Sequence, residues 1–126
     1  LPTRLLVVDD VPQNRLLLQR MLTAEGYAVT TAENGAQALQ MVESEAPDLI
    51  VSDIDMPELN GIEFCRRVKD RAATRLVPFI LITGLADRAN RIAGIEAGAD
   101  DFLGKPFDTQ ELKARVRSLL RIKRYT

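Results

Sequence analysis

Six polar residues stand at or just after the ends of short apolar runs, and their types suit binding of a metal ion and a phosphoryl group. They comprise four carboxylates, one hydroxyl and one amine: Asp9, Asp10, Asp53, Asp55, Thr83 and Lys105. Carboxylates that converge repel one another, and the hard cation Mg2+ relieves that repulsion while keeping coordination sites for water or a phosphate oxygen. These residue types therefore predict a magnesium site that can receive a phosphoryl group.

Asp53 is the best candidate for covalent attachment of that group. An aspartate is ionised at neutral pH and needs no base to act as a nucleophile. Its obstacle is repulsion by the phosphoryl oxygens, which a bound cation and Lys105 would reduce. The hydroxyl of Thr83 would donate a hydrogen bond to the same group. The residues thus predict a magnesium-dependent aspartyl-phosphate site.

Composition removes several other chemistries. The 126-residue chain contains no histidine and a single cysteine, Cys65. Without histidine, Ser-His and Cys-His catalysis and most zinc sites are excluded. A lone cysteine forms no internal disulfide, and Cys65 is expected to be a small buried apolar side chain.

Charge and hydropathy bear on partners and location. The net charge is only -1, which predicts no polyanionic partner. Basic residues are concentrated from Glu111 onward, where aromatic side chains that stack on bases are scarce, so we expect a solvated helix face rather than direct nucleic-acid binding. The sequence has neither an apolar span of about 18 residues nor a signal peptide, which favours a cytoplasmic protein without membrane association.

The length predicts one domain over residues 1–126. The chain begins at Leu1 rather than methionine and ends inside a helical pattern. Both features suggest a domain excised from a longer multidomain protein.

Five runs rich in valine and isoleucine alternate with five amphipathic stretches, a pattern typical of an α/β fold with a parallel sheet. The predicted strands are Arg4 to Asp9, Ala28 to Ala32, Asp48 to Asp53, Val77 to Thr83 and Asp101 to Gly104. Because these strands are apolar on both faces, helices must cover both sides, and right-handed crossovers then give a doubly wound three-layer fold.

Several local signals mark the helices. Gly26 follows the first helical pattern and is expected to end it. Ile92 and Ile95 recur at helical spacing before the last strand. Asp108, with Glu111 three residues later, predicts a capping box that opens the final helix.

Ligands of such sheets lie beyond the carboxyl ends of the strands, and the six polar residues fall at that edge. Each also has an ordinary explanation. The acids could cap a helix or occupy turns. Thr83 could be a plain strand residue, and Lys105 a solvated lysine. Their coincidence at one edge of one sheet favours the site.

The chain resembles the receiver (response regulator) domains of two-component signalling over essentially its whole length. The matching segments are LLVVDD, DLIVSDIDMPELNG, PFILITG and AGADDFLGKPF, in the order and spacing of that family. The resemblance implies a flavodoxin-like strand order 2-1-3-4-5. It also implies a signalling domain rather than an enzyme, with at most self-phosphorylation from a small phosphodonor and slow autodephosphorylation.

The resemblance assigns a role to each acid. Asp53 would be the phosphoacceptor, charged by a histidine kinase or phosphotransfer protein. Asp10 would ligate Mg2+ directly, Asp9 largely through water, and Asp53 through its carboxylate. Asp55 would contribute its backbone carbonyl.

It also implies a switch. Lys105 would pair with the phosphate, and the bond between Lys105 and Pro106 is expected to be cis. Thr83 would move toward the phosphate, and Phe102 would turn inward. The face formed by the fourth helix, fifth strand and fifth helix would then change its affinity for an output domain, a partner protein or a second copy. Phe102 could instead be ordinary core.

Three positions depart from common family residues. Asp55 adds an acid two residues after the acceptor, Leu85 is apolar, and Gly84 leaves room beside the phosphate. Together they leave the rate of autodephosphorylation open.

Three rival functions share some of these features. Asp53 and Asp55 also resemble the acid pair of haloacid-dehalogenase-type phosphatases, but that family places the pair at the first strand of a longer chain, which leaves Asp9 and Asp10 unexplained. A flavodoxin-like electron carrier needs a hydroxyl- and glycine-rich loop after strand one, where this chain has VPQN. The third rival is a receiver-like interaction module that is never phosphorylated.

Overall fold

Five strands alternate with five helices in the computed structural model, which describes residues 2–84 and 87–124. In chain order the elements are β1 (Arg4–Val8), α1 (Pro12–Ala24), β2 (Ala28–Ala32), α2 (Gly35–Ser44), β3 (Leu49–Asp53), α3 (Gly61–Lys69), β4 (Phe79–Gly84), α4 (Arg88–Ala97), β5 (Asp101–Lys105) and α5 (Thr109–Arg124). The predicted alternation is confirmed.

The strands form one parallel sheet in the order β2-β1-β3-β4-β5. The predicted doubly wound α/β fold and its strand order are therefore confirmed. The fourth strand begins later than predicted, at Phe79 rather than Val77. Val77 instead donates its N–H to Thr74 in a turn, and Pro78 has no N–H to offer a neighbouring strand.

Two apolar cores lie on opposite faces of the sheet. Successive strand residues point to opposite faces, so Leu5 of β1 joins one core and Leu6 the other. Helices α1 and α5 cover the Leu5 side. Helices α2, α3 and α4 cover the other side, where the rings of Phe64 and Phe79 pack edge to face with their centroids 5.3 Å apart. Cys65 lies buried in this second core, as expected.

Asparagine or aspartate side chains begin four of the helices. Each accepts a backbone N–H of the first turn, and the caps are Asn34 for α2, Asn60 for α3, Asp87 for α4 and Asp108 for α5. Asp108 thus supplies its half of the predicted capping box. The carboxylate of Glu111 accepts a hydrogen bond from Arg115 on the next turn.

Helix α1 begins without a side-chain cap. Val11 is its N-cap residue, and Pro12 occupies the first helical position, where a fixed φ is favourable. Asp9 accepts the N–H of Val11 at 2.9 Å, so it closes the loop before the helix rather than capping it. Gly26, with φ of 96°, follows the end of the helix as predicted.

Helix α4 is present where predicted, but two of its apolar side chains face solvent. Ile92 is 46% exposed and Ile95 is 63% exposed. The buried face consists of Gly94 and Ala97. A Cβ on Gly94 would lie 2.6 Å from the ring of Phe102, so the helix packs on that ring through its backbone. The spacing of Ile92 and Ile95 predicted the helix correctly, but the face that packs against the sheet is formed by small residues instead.

Within the two described ranges, none of the helices combines the length and apolar character needed to span a bilayer.

Candidate functional site

Three carboxylates meet at the carboxyl edge of the sheet. Oxygens of Asp9, Asp10 and Asp53 all lie within 4.8 Å of one another. Strands β1 and β3 are neighbours, and they end side by side at Val8 and Asp53. Asp9 and Asp53 are buried, whereas Asp10 is exposed. The edge therefore offers oxygen ligands on one side and an opening to solvent on the other.

Lys105 reaches this group from β5. Its Nζ lies 2.7 Å from Oδ1 of Asp53, across the intervening strand β4. The side chain of Lys105 is 37% exposed, so it is partly open to solvent while its amine contacts the buried carboxylate. The peptide bond between Lys105 and Pro106 is cis, as expected.

The charges of the site are only partly balanced. Burial raises the pKa of Asp53, and the charge of Asp9 raises it further, against the opposing effect of Lys105. Burial likewise raises the pKa of Asp9, although the N–H of Val11 and the charge of Lys105 lower it. For Lys105, burial lowers the pKa, but its hydrogen bond to Asp53 and the nearby acids outweigh burial, so the net pKa is raised. One lysine does not neutralise these acids, and a divalent cation fits the excess charge and the oxygen donor set.

Replacing Asp9 with asparagine is expected to stabilise the metal-free protein at pH 7. A raised folded-state pKa means that Asp9 favours folding while protonated, and this contribution is lost as pH rises from 3.8 through the raised folded value. Asparagine keeps the acceptor for Val11 and removes the charge. Thermal unfolding in EDTA should show a midpoint a few degrees higher than wild type at pH 7, with the difference vanishing toward pH 3. A lower midpoint at pH 7 would contradict this electrostatic account.

Thr83 and Phe102 lie on adjoining strands and share one face of the sheet. Thr83 is buried and pairs with Gly104, while Leu81 pairs with Phe102. Gly104, the partner of Thr83, thus places no side chain beside Thr83 on this face. The ring is half-buried, with the guanidinium of Arg91 5.9 Å from its centroid.

Two other predicted positions border the edge. Asp55 is exposed, and within the described residues its side chain is not one of the three clustered carboxylates. Its charge still contributes to the raised pKa of Lys105. A Cβ on Gly84 would meet nothing within 4 Å, so this position is open as expected. Leu85 lies outside the described residues.

Three further residues shape the site without having been singled out in the sequence. Nη1 of Arg15 donates to the carbonyl oxygen of Asp9 at 2.9 Å. The buried hydroxyl of Ser52 donates to the carbonyl oxygen of Asp53 at 2.9 Å. A Cβ on Gly61 would lie 2.1 Å from that same oxygen. In the sequence, Ser52 could have been noticed as a polar residue inside an apolar run. Gly61 looks like an ordinary turn glycine, and nothing else in the sequence marks it.

A cavity of about 490 Å³ lies elsewhere, beside α2. Its lining includes Arg4, Leu6, Thr30 and Met41, and none of the six predicted polar residues. The acidic edge is therefore separate from this cavity.

Comparison with known proteins identifies a family over most of the chain. The protein-family model of the response regulator receiver domain matches residues 5–117. Response regulator PleD from Caulobacter vibrioides is 51% identical over 120 residues, which is 95% of this chain and 26% of PleD. The chain thus spans about a quarter of the length of that relative.

Solved receiver structures share the fold. The signal receiver domain of a signal transduction histidine kinase from Syntrophus aciditrophicus superposes with a TM-score of 0.90 at 36% identity, covering 94% of this chain and 90% of that chain. The receiver domain of sensor histidine kinase PA1611 from Pseudomonas aeruginosa superposes with a TM-score of 0.88 at 32% identity, covering 95% and 98%. The PA1611 structure has a magnesium ion coordinated in its active-site cleft.

Proposed function

This chain belongs to the response regulator receiver domains of two-component signalling, and on that premise we propose that Asp53 accepts a phosphoryl group from the phosphohistidine of a histidine kinase or phosphotransfer protein. The observation that carries the proposal is the setting of Asp53. Its carboxylate is buried beside two other carboxylates and lies 2.7 Å from the amine of Lys105. Such a carboxylate can act as a nucleophile, and the adjacent ammonium group can pair with the phosphoryl oxygens after transfer.

We propose Mg2+ as the cofactor. Carboxylates of Asp9, Asp10 and Asp53 would hold it, together with the backbone carbonyl of Asp55. Support comes from the three clustered carboxylates and from the magnesium ion in the cleft of the PA1611 receiver domain. When bound, the metal would offset charge on the phosphoryl oxygens.

In the transfer step, a carboxylate oxygen of Asp53 forms a bond to phosphorus as the bond between phosphorus and the donor nitrogen breaks. The nitrogen keeps that bonding pair, and Asp53 becomes an acyl phosphate. Lys105 then pairs with phosphoryl oxygens instead of the free carboxylate. In this proposal the domain is not an enzyme, because the histidine kinase or phosphotransfer protein supplies the phosphoryl group. The transfer would take place in the cytoplasm.

Phosphorylation would shift the population of a switch built on β4 and β5. The new phosphate attracts the hydroxyl of Thr83, and Phe102, which shares a face of the sheet with Thr83, then turns inward. The face formed by α4, β5 and α5 then changes its affinity for an output domain or partner. Within this face Arg115 links α5 to β5, because its Nη1 lies 2.7 Å from both carboxylate oxygens of Asp101.

Intact mass after incubation with acetyl phosphate tests the proposed function. With Mg2+ we expect the wild-type chain to gain the mass of one phosphoryl group. With EDTA we expect no gain, because the acidic edge then repels the donor. Absence of any gain under all conditions would contradict the proposal and favour an interaction module that is never phosphorylated. Rapid release of phosphate without accumulation on the chain would favour a phosphatase.

A further inference from the structure

Ser52 is a polar residue at a position that packing alone would make apolar. It is fully buried, and its side chain points to the same face as Ile50 and Ile54, both core residues. Its neighbours on the adjoining strands, Val8 and Leu81, belong to that core as well. A small apolar residue would satisfy this setting, so the hydroxyl calls for an explanation beyond packing.

The hydroxyl is committed to the backbone of Asp53. Ser52 Oγ donates to the carbonyl oxygen of Asp53 at 2.9 Å. The last paired residues of β1 and β3 are Val8 and Ser52, so this carbonyl lies one residue beyond the pairing of these two strands, although Asp53 still pairs with Ile82 of β4. On its other side is Gly61, whose missing side chain allows the close approach. The oxygen is therefore held between a donor and the start of α3.

This contact constrains the whole peptide group between Asp53 and Ile54, not only its carbonyl. The same peptide group carries the N–H of Ile54, which donates to the carbonyl oxygen of Ile82 on β4 at 3.3 Å. Peptide groups are planar, so releasing the carbonyl of Asp53 allows this N–H to rotate with it. Such a rotation changes the backbone angle of Asp53, and it would redirect the carboxylate that lies 2.7 Å from Lys105.

We infer that Ser52 is a positioning residue for the acidic site: its buried hydroxyl fixes the peptide group that follows Asp53 and thereby aims the Asp53 carboxylate. This inference rests on the proposed role of Asp53 as phosphoacceptor. Reacting groups must be held within a narrow range of positions, so loosening this peptide is expected to slow phosphoryl transfer and weaken metal binding.

The chain offers a matched control in Thr74. Its hydroxyl is also buried and donates to a backbone carbonyl, that of Val68, at 2.6 Å. Thr74 follows the carboxyl end of α3, whereas the acidic site lies near the start of that helix. Thr74→Val therefore removes a buried hydroxyl of the same kind without touching the site.

The test compares Ser52→Ala, Ser52→Thr and Thr74→Val by three measurements: the initial rate of phosphate uptake from acetyl phosphate at saturating Mg2+, the Mg2+ dissociation constant by calorimetry, and the midpoint of thermal unfolding. For Ser52→Ala we expect an uptake rate and a Mg2+ affinity each reduced about tenfold. Ser52→Thr keeps the hydroxyl and should stay within about twofold of wild type in both. Thr74→Val should lower the unfolding midpoint while leaving uptake and Mg2+ affinity unchanged.

The inference is overturned if Ser52→Ala loses no more uptake and no more Mg2+ affinity than Thr74→Val. Should the added methyl group of Ser52→Thr prevent folding, Ser52→Cys serves instead, because cysteine is close in size but a weak donor. It should then resemble Ser52→Ala, and wild-type behaviour of Ser52→Cys would overturn the inference. If the wild-type chain takes up no phosphate, the proposed function fails separately. The Mg2+ titration alone then decides whether Ser52 positions the carboxylate.

Discussion

Replacing Asp53 with asparagine is expected to abolish phosphate uptake from acetyl phosphate and Mg2+, a loss of at least about 100-fold. Asparagine has nearly the same shape as aspartate, but its neutral amide offers no anionic oxygen to attack phosphorus. The surrounding fold should survive the change. Asp53 is a buried acid with a raised pKa, so its charge is not what holds the strand in place.

Lys105 should also tolerate the loss of its partner. Its side chain is 37% exposed, and the free amine can be solvated. The measurement is intact mass with and without Mg2+, together with treatment by hydroxylamine, which cleaves acyl phosphates and spares phosphate esters. The matched control is Asp70→Asn, since Asp70 is an exposed carboxylate at the far end of α3. This control should take up phosphate like wild type.

One outcome would contradict the assignment of Asp53, and a second would show that the comparison lacks a valid control. Uptake by Asp53→Asn at the wild-type rate would mean that another residue accepts the phosphoryl group. Peptide mapping of the labelled chain would then identify that residue. Loss of uptake in Asp70→Asn as well would mean that removing any carboxylate damages the domain, and the result for Asp53 would carry no chemical information.

Replacing Gly61 with alanine is expected to destabilise the fold by about 3 kcal/mol and to lower the unfolding midpoint by roughly 10 °C. The new Cβ would lie 2.1 Å from the carbonyl oxygen of Asp53 and 3.0 Å from its carbonyl carbon. Both are backbone atoms of a buried central strand, so neither can move aside as a flexible side chain would. Relief requires α3 to shift away from β3, which opens the core beneath it.

Gly84→Ala is the matched control for this change. Gly84 also lies at the carboxyl edge, but an added Cβ there meets nothing within 4 Å. Its midpoint should stay close to that of wild type, or rise slightly because alanine restricts the unfolded chain. Urea denaturation of both variants gives the free energy of unfolding. A Gly61→Ala variant within about 0.5 kcal/mol of wild type would contradict the close approach of α3 to Asp53.

Much of the fold could be predicted because its signals are local and repeated. Five apolar runs separated by helical patterns required a covered parallel sheet, and the carboxyl ends of such strands share one edge. Asp9, Asp10, Asp53 and Lys105 could therefore be grouped from the order of residues alone. Each residue occupies a strand end or the loop just beyond it, where the direction of the strand decides its location.

Other features could not be predicted because they depend on which surfaces meet in space. The spacing of Ile92 and Ile95 indicates a helix, but it does not reveal that the helix packs through Gly94 instead. The role of Gly61 requires knowing how closely α3 approaches β3. Ser52 was visible as an isolated polar residue, yet its partner, the carbonyl of the very next residue, depends on where the pairing of β1 and β3 ends.

The sheet order also sets constraints on how the chain folds. Strand β1 lies between β2 and β3, with Leu5 opposite both Val29 and Leu49. All four strand pairings are parallel, so each needs a helical crossover and none can begin as a hairpin. These long loop closures predict a higher contact order, and slower folding, than in a helical bundle of the same length. During synthesis β1 can pair with β2 first, but its other edge remains unpaired until β3 has left the ribosome.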